Sequence, residues 1–208
     1  MASLRCTGVI LAGGQATRYD GRPKGLERVG EARIIDHVAA ALSEVTDELL
    51  LIANAEGAAG WLPGVRTAAD VLPDQGSLGG IHAALAHADS SVLVVAWDMP
   101  FVPAELLGCL RALGSQGDAA VPESGSRRGV EPLCAWYSHT CLAPIERRLR
   151  NGDRRVVSFF EDVRVARLST DDVRQFGDPE LLFMNVNTPD ELLRAEAHAA
   201  AAAHGRRA

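Results

Sequence analysis

The sequence has no long hydrophobic segment. Its longest continuous apolar run covers residues 92–97 and ends at Asp98, whereas a membrane-spanning helix needs about 20 such residues. The apolar stretch at residues 7–12 stops at a glycine pair and is too short for a convincing signal peptide. We therefore expect a cytoplasmic protein that has no membrane partner.

Positive charge is also scarce. The 21 lysines and arginines are outnumbered by 27 aspartates and glutamates, which gives a net charge of -6. A protein that binds nucleic acid usually carries a basic excess that neutralises the phosphates, so we expect no nucleic-acid partner. A few local cations can still bind one polyphosphate.

Motifs for covalent catalysis and for structural metals are missing as well. The four cysteines form no CxxC pair and have no metal-ligand spacing with the six scattered histidines, so we interpret them as ordinary reduced thiols. The sequence contains neither a GxSxG segment nor a visible Ser–His–Asp set. These absences fit a reaction whose nucleophile needs no dedicated protein base.

Apolar runs alternate regularly in the first half of the chain. Apolar runs at residues 7–12, 49–53 and 92–96 predict buried strands, and a further short strand is predicted at 65–69. Helical spacing predicts helices at 34–45, 78–88 and 103–113. This pattern predicts an α/β fold with three α/β/α layers and a mostly parallel, Rossmann-like sheet. Ligands bind beyond the carboxyl ends of such strands, where the chain carries Gly13, Gly14, Asn54, Asp70 and Asp98.

The second half is less regular. Strands are predicted at residues 118–121, 133–137 and 163–168, and helices at 140–149 and 154–160. A last helix is predicted to begin at Pro189, with Thr188 as its cap, and to run into an alanine-rich tail. Because 208 residues with 47 % hydrophobic content suit one sizeable core, we predict a single domain over residues 1–208.

The segment LAGGQATR at residues 11–18, followed by Lys24, carries the strongest chemical signal. A glycine pair after a buried strand lets backbone N–H groups surround an anion, and Arg18 and Lys24 add positive charge. The spacing matches neither the Walker A motif nor the GxGxxG dinucleotide motif. The alternative interpretation is a plain strand-to-helix turn with solvated cations.

Asp98 lies in the segment AWDMPF, residues 96–101, at the end of a predicted strand. A carboxylate held there can bind Mg²⁺, which usually arrives together with substrate phosphates. The alternative is an aspartate that only begins a turn or caps the next helix. The glycine loop on the first strand favours the metal-binding interpretation.

The combination of LAGGxxxR, a following lysine and DxP resembles the nucleotidyltransferases that have a glycosyltransferase-A-like fold. Within that group the chain is most similar to the MobA-like molybdenum cofactor guanylyltransferases. The similarity covers about residues 7–195 and includes KGL at 24–26, GSLGGI at 76–81, GDRRV at 152–156 and NVNTPDEL at 185–192.

The resemblance implies a role for each matching residue. The catalytic residues would be Lys24, Arg18 and Asp98, with Asp98 as the ligand of Mg²⁺. The acceptor would contact Arg154, Arg155, Asn185 and Asn187. The nucleotide would contact Leu11, Ala12, Gly13, Gly14, Lys24, Asn54, Asp70, Gly79, Gly80 and Asp98, with Gly79 and Gly80 in a loop near the base and ribose. Residues 1–115 would form the nucleotide-binding half, residues 116–195 the acceptor-binding half, and residues 196–208 a tail.

The chain departs from the family at several positions. Tyr19 and Pro23 stand where Met and Asp are frequent, and Ile52 stands where some members carry an asparagine that contacts the nucleotide. Trp97 is larger than the residues that are familiar beside the metal ligand. Because Asn54 is the asparagine that remains in this region, the choice of base stays open.

The reaction that the resemblance implies is the transfer of GMP from GTP to the phosphate of molybdopterin cofactor, with Mg²⁺ as cofactor and pyrophosphate as the leaving group. One alternative is a related cytidylyltransferase or a sugar-phosphate or alcohol-phosphate nucleotidyltransferase. Another is a non-catalytic cofactor-binding protein. The expected partners are GTP, molybdopterin, molybdoenzymes and other proteins of cofactor biosynthesis.

Overall fold

The computed structural model describes residues 5–13 and 23–205. Its strands are β1 (Cys6–Ala12), β2 (Arg28–Val29), β3 (Ala32–Arg33), β4 (Glu48–Ala53), β5 (Arg66–Ala68), β6 (Ser91–Ala96), β7 (Ala119–Pro122), β8 (Cys134–Tyr137) and β9 (Val165–Leu168). Seven of them form the main sheet in the order β5-β4-β1-β6-β8-β7-β9. Neighbouring strands are parallel except at β8, which is antiparallel to both β6 and β7.

Helices cover both faces of this sheet. They are α1 (Ile34–Ser43), α2 (Gly76–His87), α3 (Ala104–Leu113), α4 (Leu142–Arg150), α5 (Thr170–Arg174), α6 (Pro179–Leu182) and α7 (Pro189–Gly205). The helices α1 and α3 pack on one face, and α2 and α4 pack on the other. The predicted three-layer α/β fold with a mostly parallel sheet is confirmed.

Alternate residues of the central strands serve the two faces. Ile10 of β1 and Val95 of β6 are buried with α1 and α3, whereas Val9 and Val94 are buried with α2 and α4. In a strand that is covered on both faces, a polar side chain on either face would be buried and would destabilise the fold. The sequence of such a strand is therefore a continuous apolar run. This is why β1, β4 and β6 can be recognised without any alternation of polar and apolar residues.

A small antiparallel hairpin of β2 and β3 leads into α1. Val29 of the hairpin is buried in a third apolar cluster. The cluster also contains Ile34 of α1, Ala195 of α7, and Val186, which precedes α7. The last helix is therefore anchored beside the segment that follows Lys24. That hairpin and the short helices α5 and α6 are absent from the sequence prediction.

Two predictions about the backbone are wrong. The predicted helix at residues 154–160 does not form: the Asp153 carboxylate accepts the N–H of Arg155 at 3.1 Å, which competes with helical hydrogen bonding, and a 3-10 helix (Ser158–Asp162) follows. The predicted loop at Gly79 and Gly80 is instead part of α2. A Cβ at Gly80 would lie 3.5 Å from the Leu11 side chain, an ordinary van der Waals distance, so α2 packs on β1 without requiring a glycine at this position.

Within the described ranges, no helix is both long enough and apolar enough to cross a membrane. All four cysteines are free thiols, as the sequence predicts. Burial raises the pKa of the Cys134 thiol and raises that of Cys141 to about 12, so neither is ionised near neutral pH.

Candidate active site

Polar residues follow the carboxyl ends of four parallel strands. Gly13 follows β1, Asn54 follows β4, and Asp70 and Asp98 come shortly after β5 and β6. Because β5, β4, β1 and β6 are neighbours in the sheet, these residues lie along one edge, which is where α/β folds bind ligands. The structure brings them together as the sequence predicts.

The centre of this edge holds a lysine, an aspartate and an asparagine from three distant segments. Nζ of Lys24 donates a hydrogen bond to Oδ2 of Asp98 at 2.5 Å and another to Oδ1 of Asn187. Lys24 begins a 3-10 turn (Lys24–Leu26), Asp98 follows β6, and Asn187 precedes α7. We call these three residues the central cluster.

The ion pair of the central cluster is largely withdrawn from water. Only 17 % of the Lys24 side chain and 9 % of the Asp98 side chain are exposed. Within the described residues, Oδ1 of Asp98 is buried and has no hydrogen-bond partner. An unsatisfied buried acceptor is costly, so this oxygen is available to a further ligand.

Asn187 is fixed by the start of α7. Its N–H donates to Oε2 of Glu191 at 2.7 Å, and Oγ1 of Thr188 accepts the N–H of Glu191 at 3.3 Å. The predicted cap at Thr188 is therefore confirmed. The sequence prediction misses Glu191, although a threonine followed three residues later by a glutamate is the capping-box signal that identifies such a residue.

Asn54 and Asp70 form a reciprocal pair at the ends of β4 and β5. Nδ2 of Asn54 donates to Oδ2 of Asp70 at 2.7 Å, and the N–H of Asp70 donates to Oδ1 of Asn54 at 2.8 Å. Asn54 is exposed and Asp70 is half-buried. A ligand at the sheet edge can therefore reach both side chains, while each holds the other in place.

The two arginines predicted for the acceptor face different partners. Nε of Arg154 donates to Oε1 of Gln75 at 3.1 Å, directly before α2. Arg155 pairs with Asp153 at 2.7 Å and, through these hydrogen bonds, lowers the pKa of Asp153 to about 2. Both arginines are exposed. Arg154 is thus tied to the amino end of α2, while Arg155 forms a local surface pair.

The two asparagines predicted for the acceptor also differ. Nδ2 of Asn185 donates to the carbonyl oxygen of Phe183 at 3.1 Å, and Asn185 lines a cavity of about 460 Å³ beside α6 and α7. Asn187 lies two residues further and contacts Lys24. Asn187 is therefore the one predicted acceptor residue that, among the described residues, has a hydrogen bond to Lys24 of the central cluster.

The remaining predicted nucleotide contacts lie around β1 and α2. Leu11 and Ala12 are buried at the end of β1, and Gly13 is exposed just beyond it. Gly79 and Gly80 are buried in the first turns of α2. Gly14 and Arg18 lie outside the described residues.

With this geometry established, comparison with known proteins decides the family. The sequence model of the MobA-like NTP transferase domain matches residues 8–168. The chain belongs to this family. The family resemblance deduced from the motifs is confirmed, and the protein is a nucleotidyltransferase.

Relatives of this nucleotidyltransferase match it over nearly its whole length. A protein of Pelotomaculum thermopropionicum named "Probable molybdenum cofactor guanylyltransferase" is 40% identical over 204 residues, 98% of each chain. A "Molybdenum cofactor guanylyltransferase" of Desulfosudis oleivorans is 36% identical over 92% of this chain and 94% of its own. The crystal structure of molybdopterin-guanine dinucleotide biosynthesis protein A from Archaeoglobus fulgidus superposes with a TM-score of 0.79 at 30% identity, covering 94% of this chain and 99% of that one.

Nucleotidyl transfer is commonly assisted by a divalent cation bound to the substrate phosphates, and the residues present fit such an ion. In residues 5–13 and 23–205, no group of three His, Cys, Asp or Glu side chains is arranged to hold a metal. Mg²⁺ retains several waters and needs only one or two carboxylates when phosphates supply the other oxygens. Oδ1 of Asp98, which has no hydrogen-bond partner in the described ranges, is a suitable protein ligand of this kind.

Proposed function

We propose that this nucleotidyltransferase transfers GMP from GTP to the terminal phosphate of molybdopterin cofactor and releases pyrophosphate. The observation that carries the proposal is the central cluster, in which a cation, a carboxylate and an amide meet at the ligand-binding edge of the sheet. Its support from outside the chain is the guanylyltransferase names of the relatives.

In the proposed reaction an oxygen of the acceptor phosphate attacks the α-phosphorus of GTP. A P–O bond forms to that oxygen, and the bond from the α-phosphorus to the bridging oxygen breaks, so that pyrophosphate leaves with the electron pair. The acceptor phosphate is already ionised near neutral pH and needs no protein base. Alignment of the two phosphates and neutralisation of their charge therefore supply most of the catalysis.

The central cluster has a defined part in this scheme. Asp98 would hold Mg²⁺, which when bound would neutralise charge on the nucleotide phosphates. The ammonium of Lys24 would move from Asp98 toward the phosphates or bridge both groups, and Arg18 would add a second cation. Because Lys24 is enclosed by two oxygen acceptors before the nucleotide binds, its charge is already directed into the site.

The nucleotide side of the proposed site is built from the ends of the first strands and the start of α2. Asn54 and Asp70 would contact the nucleoside, because their reciprocal bonds hold them at the sheet edge. The other proposed contacts are Leu11, Ala12, Gly13, Gly14, Gly79 and Gly80. The two α2 glycines would contact the nucleotide from the first turns of the helix, since they do not form a loop.

The acceptor side of the proposed site uses residues from the second half. Asn187 would contact the acceptor phosphate, and the support for this role is its hydrogen bond from Lys24, the proposed phosphate-binding cation. Arg154, Arg155 and Asn185 would contact the remainder of the acceptor. We further propose that the reaction takes place in the cytoplasm, with molybdoenzymes or other biosynthetic proteins receiving the product.

The decisive experiment measures pyrophosphate release by the full chain with Mg²⁺, molybdopterin cofactor and each of GTP, CTP, ATP and UTP. Release with GTP that depends on the acceptor supports the proposal. Release with CTP instead, or with a sugar phosphate or alcohol phosphate as acceptor, identifies the alternative transferase. Binding without any release identifies a non-catalytic carrier.

A thermal-shift measurement with the same four nucleotides gives an independent test of base choice. A ligand that binds only the folded state raises the melting temperature, so GTP should produce a larger shift than the others. A shift with CTP alone would defeat the guanylyl assignment.

A further inference from the structure

The indole of Trp97 packs against the backbone of the Lys24 turn. Trp97 lies between β6 and Asp98 and is 4% exposed. A Cβ placed on Gly25 would lie 2.7 Å from Cδ2 of Trp97 and closer still to Cε3. The ring therefore occupies the space where any other residue at position 25 would have its side chain.

Trp97 cannot easily move away from this contact. Its ring stacks on Trp61 with centroids 5.2 Å apart and planes inclined by 18°. The backbone N–H of Trp97 donates to the carbonyl oxygen of Leu11 at 3.1 Å, which ties this segment to β1. Stacked aromatic rings in a packed interior resist displacement, so the indole is a fixed surface against which the turn rests.

The two residues in this contact are the chain neighbours of the central ion pair. Gly25 follows Lys24, and Trp97 precedes Asp98. We infer that Trp97 is a positioning residue, whose ring sets the distance between the Lys24 turn and Asp98 and so places the ammonium for the nucleotide phosphates. This inference rests on the proposed role of the central cluster.

The two residues are complementary in size. This chain has an indole directly before Asp98 and a glycine directly opposite it. A smaller residue at position 97 would leave a gap under the turn. The pair Gly25 and Trp97 therefore forms one unit, in which the size of one residue requires the absence of a side chain on the other.

A second glycine–tryptophan contact in the chain provides a matched control. A Cβ on Gly114 would lie 2.5 Å from Cδ2 of Trp136, and Trp136 is 7% exposed. Trp136 pairs across the sheet with Leu93 near the amino end of β6, whereas Asp98 follows the opposite end. The control contact is thus similarly tight but distant from the central cluster.

The test uses Gly25→Ala, Trp97→Leu and the double variant of the full-length protein, with Trp97→Phe as the conservative replacement. The measurements are the dissociation constants of GTP and CTP with Mg²⁺ by calorimetry, kcat and KM for pyrophosphate release, and the melting temperature. Gly25→Ala should raise the dissociation constant of the nucleotide about tenfold. A change of this size lies within the range of interaction energies measured between residues in contact. In the Trp97→Leu background the same change should cost about threefold or less, because the alanine then has room.

A background of Lys24→Ala separates positioning from simple packing. If the contact acts through Lys24, neither Gly25→Ala nor Trp97→Leu should weaken nucleotide binding further once the ammonium is absent. Trp97→Phe should keep affinity within about threefold of the wild type, because a ring still supports the turn. Gly114→Ala and Trp136→Leu should lower the melting temperature but leave nucleotide affinity within about twofold.

The inference fails if Gly25→Ala binds nucleotide with the wild-type dissociation constant. It also fails if the fold-changes in that constant for Gly25→Ala and Trp97→Leu simply multiply in the double variant, or if either fold-change persists in the Lys24→Ala background. Should Gly25→Ala not fold, Trp97→Leu in the two Lys24 backgrounds decides the question. The proposed function has a different signature of failure. A wild-type protein that shows the expected binding pattern but transfers no GMP contradicts the guanylyl assignment and leaves the positioning role of Trp97 intact.

Discussion

The backbone oxygen of Asp98 accepts a hydrogen bond from the N–H of Val186 at 2.9 Å. The side chain of Asp98 meanwhile accepts one from Lys24, which also donates to Asn187. Asp98 therefore holds the segment before α7 both directly and through the lysine. Asp98 thus joins the ligand-binding edge of the sheet to the last helix, so substitutions of Asp98 are expected to affect both.

The first prediction concerns the carboxylate of Asp98. Asp98→Asn keeps the shape of the side chain but removes the charge that faces Lys24 and that we propose as the ligand of Mg²⁺. Turnover should therefore fall by about 100-fold, as when one charge-stabilising group is lost from an active site. Pyrophosphate release at saturating GTP and Mg²⁺ measures this. Asp36→Asn is the control, because Asp36 forms an ion pair of similar length, 2.6 Å, with Arg33 at a more exposed place outside the site. Near-normal turnover of Asp98→Asn would exclude Asp98 as the metal ligand.

The second prediction concerns the stability of the ion pair. Lys24→Met leaves the Asp98 carboxylate buried without its cation, which should lower the free energy of unfolding by about 1–3 kcal/mol. Adding Asp98→Asn removes the uncompensated charge, so the double variant should be more stable than the sum of the single effects predicts. Urea unfolding of the three variants and the wild type completes the cycle. Strict additivity would mean that the two side chains do not stabilise each other.

The third prediction concerns recognition of the nucleotide. Asn54→Ala removes the side chain that pairs with Asp70 and, with it, the proposed hydrogen bond to the nucleoside. Because such a bond is present in both the ground state and the transition state, its loss raises KM without lowering kcat. We expect KM for GTP to rise about tenfold, the equivalent of one such bond. Initial rates with GTP and CTP measure the effect. Glu56→Ala, an exposed change in the same loop, should leave both constants unchanged, and equal KM values for the two variants would remove Asn54 from the site.

The fourth prediction concerns alkaline pH. Burial raises the pKa of the Cys141 thiol from 9.0 to about 12, so above pH 9 the unfolded chain loses this proton while the folded chain keeps it. The contribution of Cys141 to stability is complete below pH 9 and is lost as the pH rises toward 12. Its slope reaches about 1.4 kcal/mol per pH unit.

Comparison of the wild type with Cys141→Ser isolates that contribution. The difference in their unfolding free energies should shrink or change sign between pH 8 and pH 10.5 in favour of the serine variant. Cys109→Ser, at a less buried thiol, should show a smaller dependence. A difference that stays constant with pH would mean that Cys141 ionises equally in both states.

The sequence was sufficient to predict the strands that position the site and the two charged residues at its centre. Val94 and Ile10 lie in short apolar runs, which are typical of doubly covered strands, and Asp98 ends one of those runs abruptly. Lys24 is a cation that follows the glycine loop, and the family resemblance implies its catalytic role. These features depend on short-range patterns, which a single sequence displays directly.

Other features depend on contacts that local patterns do not contain. The strand at Arg28–Val29 has only two residues, too few to show any period. The bonds from Asp153 to Arg155 replace a helical turn that the apolar spacing of residues 154–160 favours. The packing of Trp97 on Gly25 joins residues from different segments, so the family resemblance marks Trp97 as unusual without indicating its partner.

The hydrogen bond from Lys24 to Asn187 spans 163 positions of the chain, and this has a consequence for biosynthesis. Domains begin to fold from the amino terminus while they are still being made, and long-range contacts are the last to repay the entropy of closing the chain. The central cluster can therefore form only late in synthesis, because Asn187 comes 163 positions after Lys24. Until the residues around Asn187 have left the ribosome, Lys24 lacks one of its two hydrogen-bond partners. Given the proposed role of the central cluster, an incomplete chain should therefore bind nucleotide weakly, and full affinity should arise only when the segment before α7 has been made.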